Sequence, residues 1–185
     1  MNIPVEELLS ESKSLLQAIK GKVIKSVFRD SVWPAEKIAN TFGIDDELVF
    51  PYTAGALIIV FECGRTIGLA SNQKKNSLVI WIEEGEYELE KDSHPIDCQD
   101  FKYSNEHWAA MIGKSIEKMA LLKHRRTDHR YKRLPNEVGL CCQMTGNLDF
   151  IISHGISSSV PSHFALISKD QIDSDVAENL EYVEI

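Results

Sequence analysis

Six histidines and a run of serines are the residues of this sequence whose types first suggest catalysis or metal binding. His124 and His129 lie five positions apart, which places them neither on one face of a helix nor on one face of a strand. Ser157, Ser158 and Ser159 follow another histidine but lack the Gly-x-Ser-x-Gly motif that presents a nucleophilic serine. These patterns are typical of surface loops, so we predict no catalytic residue and no metal site. The histidines are His94, His107, His124, His129, His154 and His163.

Motifs for phosphate and acid chemistry are also incomplete. The Gly-Lys-Ser at 113–115 lacks the glycine that a phosphate-binding loop carries five residues earlier. The acids of 83–90 follow an apolar run and continue into a polar linker. Carboxylate pairs catalyse glycoside hydrolysis only when a fold directs two of them across a cleft, and spacing alone does not establish that. We therefore predict no cofactor and no enzymatic activity.

Length and composition predict one folded domain spanning 1–185. The chain has 185 residues, 43% hydrophobic and 26% charged, which is typical of a globular protein with its own core. The longest apolar runs are far shorter than the roughly 18–20 residues that span a bilayer, so no membrane association is expected. Glu6 and Glu7 stand where a secretory signal would be basic, and the four cysteines show no Cys-x-x-Cys spacing. We expect a cytoplasmic protein with reduced thiols.

The charges of this acidic protein are arranged in blocks. Residues 83–100 hold eight acids and one lysine, and residues 170–185 hold six acids and no base. The stretch “KHRRTDHRYKR” at 123–133 is strongly basic, although the net charge of −8 makes nucleic acid an unlikely partner for the whole chain. Blocks of this kind create fields that steer protein partners.

An internal repeat is the clearest feature of the sequence. Each half carries a Gly-Lys pair, then a polar insertion, then apolar segments in the same order. In the longest apolar segment, Gly64 aligns with Gly146 and Ser71 with Ser153 at one constant offset. The alternative is chance similarity between β-rich segments. The matching stretches are “GKVIKSV” at 21–27 with “GKSIEKM” at 113–119, “LIIVFECGRTIGLAS” at 57–71 with “GLCCQMTGNLDFIIS” at 139–153, and “SLVIWI” at 77–82 with “HFALIS” at 163–168.

Each half is predicted to begin with a helix that ends at its glycine. In the first half the apolar positions from Val5 to Ile19 have helical spacing, and in the second Ser104 can cap 105–112. Gly21 and Gly113 then suit the left-handed residue that ends many helices. The β-branched segments that follow, including “KSIEKMALL”, indicate strands joined by tight turns at the later glycines.

The predicted fold class is therefore α+β. We expect two similar units, each a helix followed by a four-stranded antiparallel meander, packed around a pseudo-two-fold axis so that each covers the apolar face of the other. The boundaries are repeat 1 at about 5–83, an acidic linker at about 84–103, repeat 2 at about 104–170 and an acidic tail at 171–185.

The insertion at 30–53 interrupts the first unit with more aromatic residues than a connector needs. It includes Trp33, Phe42 and Tyr52, and a helix is expected over 35–42. Insertions of this length inside compact domains are usually functional or disordered. The insertion could equally be a lid over the end of the sheet.

This layout resembles the small, acidic, duplicated α+β immunity proteins of bacterial toxin systems. The resemblance rests on “GKVIKSV” with “GKSIEKM”, on the turn “FECG” with its counterpart “QMTG”, and on the two acidic runs, and it covers most of residues 14–170. The aromatic residue of “FECG” is replaced at Gln143, and the similarity ends at “ALLKHRR”. The resemblance implies binding and neutralising a cognate toxin, with no active site and no cofactor.

The predicted partner-binding residues combine aromatic anchors with an acidic surface. Alternatives from other classes are a small-molecule-binding or enzymatic domain with a pocket between the halves near Trp81, Phe150 and His154, and a self-associating subunit that forms a homodimer. The predicted contact residues are Trp33, Phe42, Tyr52, Glu83, Glu84, Glu86, Glu88, Glu90 and Asp92.

Overall fold

The first of two antiparallel sheets is built mainly from the amino-terminal half of the chain. The computed structural model describes residues 5–83, 87, 89, 92–125 and 129–185. The strands of this sheet are β1 Glu7–Leu8, β2 Ile24–Ser31, β3 Ala56–Phe61, β4 Thr66–Asn72, β5 Ser77–Glu83 and β6 His94–Asp97. Their order is β1-β5-β4-β3-β2-β6, so β2 to β5 form a meander and β6 returns to pair with β2.

The second sheet is built from the carboxy-terminal half. Its strands are β7 Ile116–His124, β8 Glu137–Met144, β9 Leu148–His154, β10 Phe164–Ile167 and β11 Leu180–Glu184. Their order is β10-β9-β8-β7-β11. A four-strand meander is again followed by a strand that returns to pair with the first. The sheets thus have six and five strands, more than the four predicted for each.

Short helices connect these strands within the described part of the chain. Two 3-10 helices, at Asp46–Leu48 and Lys169–Gln171, accompany them. The α-helices are α1 Lys13–Ile19, α2 Ala35–Phe42, α3 Val49–Tyr52, α4 Glu106–Ala109 and α5 Ser174–Ala177. The helix predicted over 35–42 is confirmed, and the strand predicted for “KSIEKMALL” is β7.

The helices that precede the two glycines begin later than predicted. The prediction from Val5 was wrong because Leu8 pairs with Val79 of β5, which makes the start of that apolar pattern a strand. In the second half Asn105 replaces Ser104 as the cap, since its side chain accepts the His107 N–H. Both helices also end before the glycine predicted to terminate them: α1 ends at Ile19, followed by an extended Lys20, and α4 ends at Ala109, four residues before Gly113. Apolar spacing thus located both helices but set neither end.

The chain segments at the two glycines bind each other through backbone hydrogen bonds. Gly21 N–H donates to the carbonyl of Ile116 at 2.8 Å, and Gly113 N–H donates to the carbonyl of Ile24 at 2.9 Å. Both glycines have positive φ, 77° and 76°, as predicted for a left-handed residue. A register shift follows both isoleucines, between Ile24 and Ser26 and again after Ile116.

One core lies between the inner faces of the two sheets. Strand alternation directs every second apolar side chain inward, so residues of β2 to β5 meet residues of β7 to β10. Phe61 and Leu69 from the first sheet and Phe150 and Leu166 from the second belong to this shared core and are almost fully buried. Burial of these large side chains is the main term that holds the sheets together.

The outer face of the second sheet is covered by the acidic tail. Ile151, Ala165 and Ile167 pack there against Val176 and Leu180 from the carboxy-terminal segment. The tail then adds β11 to the sheet edge, beside β7. No such pairing was predicted for the acidic run.

The basic stretch is paired in part with acids of the second sheet. Arg125 contacts Glu181 of β11 at 3.2 Å, and Lys123 contacts Glu137 at 3.4 Å. Residues 126–128 lie outside the described part of the chain. The start of the stretch therefore belongs to the end of β7, an interior strand between β8 and β11.

The cysteines are free thiols with different environments. Cys141 and Cys142 point to opposite faces of β8, as predicted, and Cys142 is buried in the shared core. Burial raises the pKa of Cys142 and, together with Asp97, raises the pKa of Cys98 to about 12. Cys63, at the turn between β3 and β4, is exposed, so it is the cysteine best placed to react.

Arg29 joins the first sheet to the insertion between β2 and β3. This fully buried guanidinium donates to the carbonyls of Phe50 at 3.0 Å, Pro51 at 2.9 Å and Gly55 at 3.2 Å. It also lies 4.6 Å from the ring centroid of Phe164 on β10. Burial lowers the pKa of Arg29 from 12.5 to about 9, so it stays charged at neutral pH and needs these oxygens.

Replacing Arg29 with methionine is expected to lower the free energy of unfolding by about 3 kcal/mol, because the carbonyl oxygens lose their charged donor. Urea unfolding measures the change through the midpoint at constant slope. The control is R125M, which removes an exposed arginine and should change stability by no more than about 0.5 kcal/mol. Equal effects of the two substitutions would contradict this role for Arg29.

Candidate functional site

The insertion between β2 and β3 forms a small helical platform at one end of the first sheet. Pro34 precedes α2 and Gly43 ends it with a left-handed φ of 61°, which fixes the helix bounds. Ile38 and Ala39 are buried, so α2 packs with its apolar face inward. The platform thus carries an outward face whose residues do not belong to the core.

That outward face is aromatic. Trp33 and Phe42 are stacked with ring centroids 6.4 Å apart, and Lys37 Nζ lies 4.4 Å from the Trp33 centroid. Val32 is 76% exposed, Trp33 37% and Phe42 50%. We call Val32, Trp33, Lys37 and Phe42 the aromatic surface. Large apolar side chains grouped in this way are typical of interaction sites.

A cleft of about 300 Å³ adjoins the aromatic surface. Phe42 and Tyr52 form one side of it, so all three predicted aromatic residues meet in this region. Tyr52 is half-buried, and its hydroxyl accepts a hydrogen bond from Gln171 at 2.9 Å, which leaves it less available to a partner. The remaining residues that line the cleft are Ala54, Ser71, Gln73, Pro161, Ser162, His163 and Phe164.

The two described acids among the predicted contacts, Glu83 and Asp92, lie at different ends of the first sheet. Glu83 ends β5 opposite Thr66, and its carboxylate accepts the Trp81 indole N–H at 2.5 Å. Asp92 is exposed and lies two residues before His94, which pairs with Ser31 at the other end of the sheet. Of these two acids, Asp92 is therefore the one on the side of the aromatic surface. Glu84, Glu86, Glu88 and Glu90 lie outside the described residues.

A chain of polar side chains joins the two sheets beside the cleft. Asn136 donates from Nδ2 to the carbonyls of Tyr131 and Leu134, which fixes the orientation of its amide. Its oxygen accepts from Asn76 Nδ2 at 2.8 Å, so the oxygen of Asn76 faces His154 Nε2 at 3.2 Å.

These orientations also assign the proton of the imidazole. His154 Nε2 must donate to the oxygen of Asn76, so when the ring is neutral Nδ1 is an acceptor. Nδ1 lies 2.5 Å from Ser71 Oγ, whose hydroxyl therefore donates to it. We call Ser71, Asn76, Asn136 and His154 the inter-sheet cluster. His154 is 5% exposed, while Ser71 is half-buried at the wall of the cleft.

A second set of polar contacts supports this end of the sandwich. Ser77 accepts the Glu137 N–H at 2.9 Å, and the buried Glu137 side chain accepts the Ser10 N–H at 3.0 Å. Lys123 supplies the opposite charge to Glu137. Strands β5 and β8 are thereby tied at the point where the inter-sheet cluster begins.

The pocket considered between the halves is not formed by the three residues named for it. Trp81 packs over Gly68, where an added Cβ would lie 2.1 Å from the indole, on the face of the first sheet away from the core. Phe150 is buried in the shared core. Of the three, only His154 is hydrogen-bonded to a residue of the cleft wall, Ser71.

The described residues thus define an α+β protein with two antiparallel sheets, an exposed aromatic surface and a polar cluster that joins the sheets. Comparison with protein-family models, curated proteins and solved structures found no match for this chain. Within the described ranges, no three His, Cys, Asp or Glu side chains are grouped to hold a metal ion. No described helix is long and apolar enough to cross a bilayer.

The inter-sheet cluster was not predicted from the sequence. Ser71 and His154 are 83 residues apart, and no local motif marks either one. The available signal was weak: Asn76 and Asn136 each follow a polar turn and precede a strand, and asparagine tolerates the positive φ of 48° and 53° found there.

Asn76→Ala should destabilise the protein by about 1–3 kcal/mol more than Asn147→Ala. Both asparagines have positive φ, so both substitutions introduce comparable backbone strain, but Asn147 lies in an exposed turn. The difference in free energy of unfolding, measured by urea titration, isolates the hydrogen bonds of the cluster. Equal losses would mean that Asn76 contributes only its backbone conformation.

Proposed function

We propose that this chain is an immunity protein, which binds a cognate bacterial toxin and neutralises it by direct contact. The observation that carries the proposal is the aromatic surface on the helical platform. The aromatic stack of Trp33 and Phe42 is exposed although the chain has a well-filled core elsewhere. Aromatic side chains in such positions supply most of the binding energy in many interfaces.

The attachment of the platform supports a binding role. Arg29 binds three carbonyls of the segment that follows α2, and Thr53 Oγ1 donates to the carbonyl of Val49 at 2.6 Å. A surface that is already ordered loses little conformational entropy on association, so more of the contact energy appears as affinity. The platform therefore offers a partner a preorganised face.

The charge distribution supports a basic partner. The net charge is −8, and eight acids lie in residues 83–100, of which Asp92 approaches the end of the sheet that carries Trp33. An acidic field accelerates the encounter with a positively charged protein. The toxin surface that meets this chain should therefore be basic around an apolar centre. The exposed thiol of Cys63 suits the reducing cytoplasm, where we place the protein.

The proposal includes duplication of one folding unit about a pseudo-two-fold axis. Three observations support it: the nearly equal φ of Gly21 and Gly113, the reciprocal bonds of these glycines to Ile116 and Ile24, and the same strand order in both sheets apart from β1. When a two-fold axis relates two copies, each contact from the first copy to the second is repeated from the second to the first, as these two hydrogen bonds are. Duplication would supply the shared core and leave the first insertion free to diverge for recognition.

Co-expression with the neighbouring open reading frame tests the proposal. If the neighbour encodes the toxin, its expression alone should arrest growth, and co-expression should restore growth and yield a one-to-one complex on purification. Growth arrest that this chain does not relieve, or a harmless neighbour that does not copurify, would count against an immunity function.

Trp33→Ala combined with Phe42→Ala should weaken toxin binding by about thirtyfold or more, a loss of about 2 kcal/mol, because both anchors of the interface are removed. Titration calorimetry with the copurified toxin measures the affinity. Tyr182→Ala is the control, since Tyr182 is also an exposed aromatic residue but lies on β11, at the opposite edge of the second sheet from β10. A similar loss for the control would contradict the assignment of the interface.

Reversing the charges of Glu84, Glu86 and Glu88 to lysine should slow association about tenfold at low salt and weaken its salt dependence. Stopped-flow association at several ionic strengths checks this. An unchanged association rate would show that the acidic run does not contribute to binding of the toxin. The control reverses three exposed acids of the carboxy-terminal segment, Asp175, Glu178 and Glu184.

A further inference from the structure

The inter-sheet cluster has the parts of a catalytic site as well as a structural role. We propose that Ser71 is a nucleophile that accepts an acyl group from small esters bound in the cleft, with His154 as its base. This activity goes beyond toxin binding and requires no partner protein. It rests on three features: the direction of the hydrogen bonds, the position of Ser71 on the cleft wall and the polarity of the cleft.

The direction of the hydrogen bonds is the one that nucleophilic catalysis by serine needs. The Ser71 hydroxyl donates to His154 Nδ1, and the ring donates from Nε2 to the oxygen of Asn76. Nucleophile, base and orienting group thus form a continuous chain. Asn76 is itself held by Asn136, whose amide is fixed by two backbone carbonyls. The orientation of the imidazole is therefore set before a substrate binds.

The cleft places this chain in contact with a binding space. Ser71 is half-buried at its wall, whereas His154 behind it is 5% exposed. Phe42, Tyr52 and Pro161 supply apolar walls that suit a small acyl or aryl group. Gln73 and the ring of His163 also line the cleft, and each carries N–H groups able to stabilise an oxyanion. A volume of about 300 Å³ admits a small ester.

The proposed reaction is an acyl transfer that balances without a cofactor. Ser71 Oγ attacks the ester carbonyl while its proton passes to His154 Nδ1, and Asn76 accepts from Nε2–H of the resulting imidazolium. Collapse of the tetrahedral intermediate breaks the bond to the alcohol, which takes the proton from Nδ1. Water, deprotonated by the same nitrogen, then attacks the acyl-serine, and Nδ1 returns the proton to the departing Ser71 Oγ, which gives the carboxylic acid and free Ser71.

Incubation of the full chain with p-nitrophenyl acetate tests the first step. Release of nitrophenolate should be accompanied by an acetyl group that peptide mass spectrometry locates on Ser71. The S71A variant should lose the adduct and release nitrophenolate at least about 100-fold more slowly. S159A is the matched control, because Ser159 is an exposed serine outside the cleft, and it should behave as the parent protein.

A second variant tests whether His154 activates the side chain at position 71 or whether that side chain is merely accessible to reagents. The S71C thiol would face His154, whose imidazolium stabilises a thiolate, so iodoacetamide should modify it faster than Cys63 in the same chain. Cys63 is exposed and serves as the internal reference. Burial raises the pKa of Cys98 and of Cys142, so these thiols should remain unmodified while the protein is folded.

The two experiments decide the proposal together. An adduct on Ser71, or an S71C thiol that reacts faster than Cys63, supports an activated site. Absence of any Ser71 adduct in the folded parent protein, with an S71C thiol that reacts no faster than Cys63, overturns it and leaves the cluster a purely structural connection. Neither result bears on toxin binding, which is measured with a separate partner.

Discussion

The burial of one positive charge, that of Arg29, is the constraint on which the rest of this structure depends. A guanidinium removed from water is tolerated only when its N–H groups find acceptors, and in the described part of the chain no carboxylate lies within ion-pairing distance of it. Backbone carbonyls of the insertion supply the acceptors, and the ring of Phe164 covers the cation from the second sheet. One side chain therefore fixes the helical platform to the first sheet and to β10 at the same time. That attachment holds the platform, and with it the aromatic surface, in a fixed position.

The aromatic surface, the cleft and the inter-sheet cluster all lie at the same end of the sandwich. The chain makes a close approach there: a Cβ on Gly55 would lie 2.3 Å from the carbonyl oxygen of Asp30, so the segment leaving α3 must carry glycine at that point. Asn76 and Asn136 join the sheets through polar side chains where the apolar core ends. Buried polar groups of this kind fix one register of two packed sheets, since any shift leaves hydrogen bonds unmade. A partner or ligand that meets this end of the molecule encounters an ordered surface.

The sequence predicted the elements with strong local signals and missed those defined by distant contacts. Helix α2 was placed correctly because proline before it and Gly43 after it mark both ends. Strands β6 and β11 were missed because they lie in acidic runs whose charges suggested linkers, although the alternation around Tyr182 was a usable sign of a strand. Trp33, Phe42 and Tyr52 were predicted together because they are conspicuous in a polar insertion, and the structure brings them into one region. Ser71 and His154 were not combined, because only the packing of two sheets brings residues so far apart in sequence together.

We propose that an acidic scaffold presents its preformed aromatic surface to a protein partner. Amide hydrogen exchange, measured on the free chain and on its purified complex with the product of the neighbouring gene, tests that claim most directly. We predict added protection in residues 33–43 on complex formation, on a platform already slow to exchange in the free protein, with little change along β11. Protection that appears only along β11, or a platform that exchanges freely until the partner binds, would contradict the account.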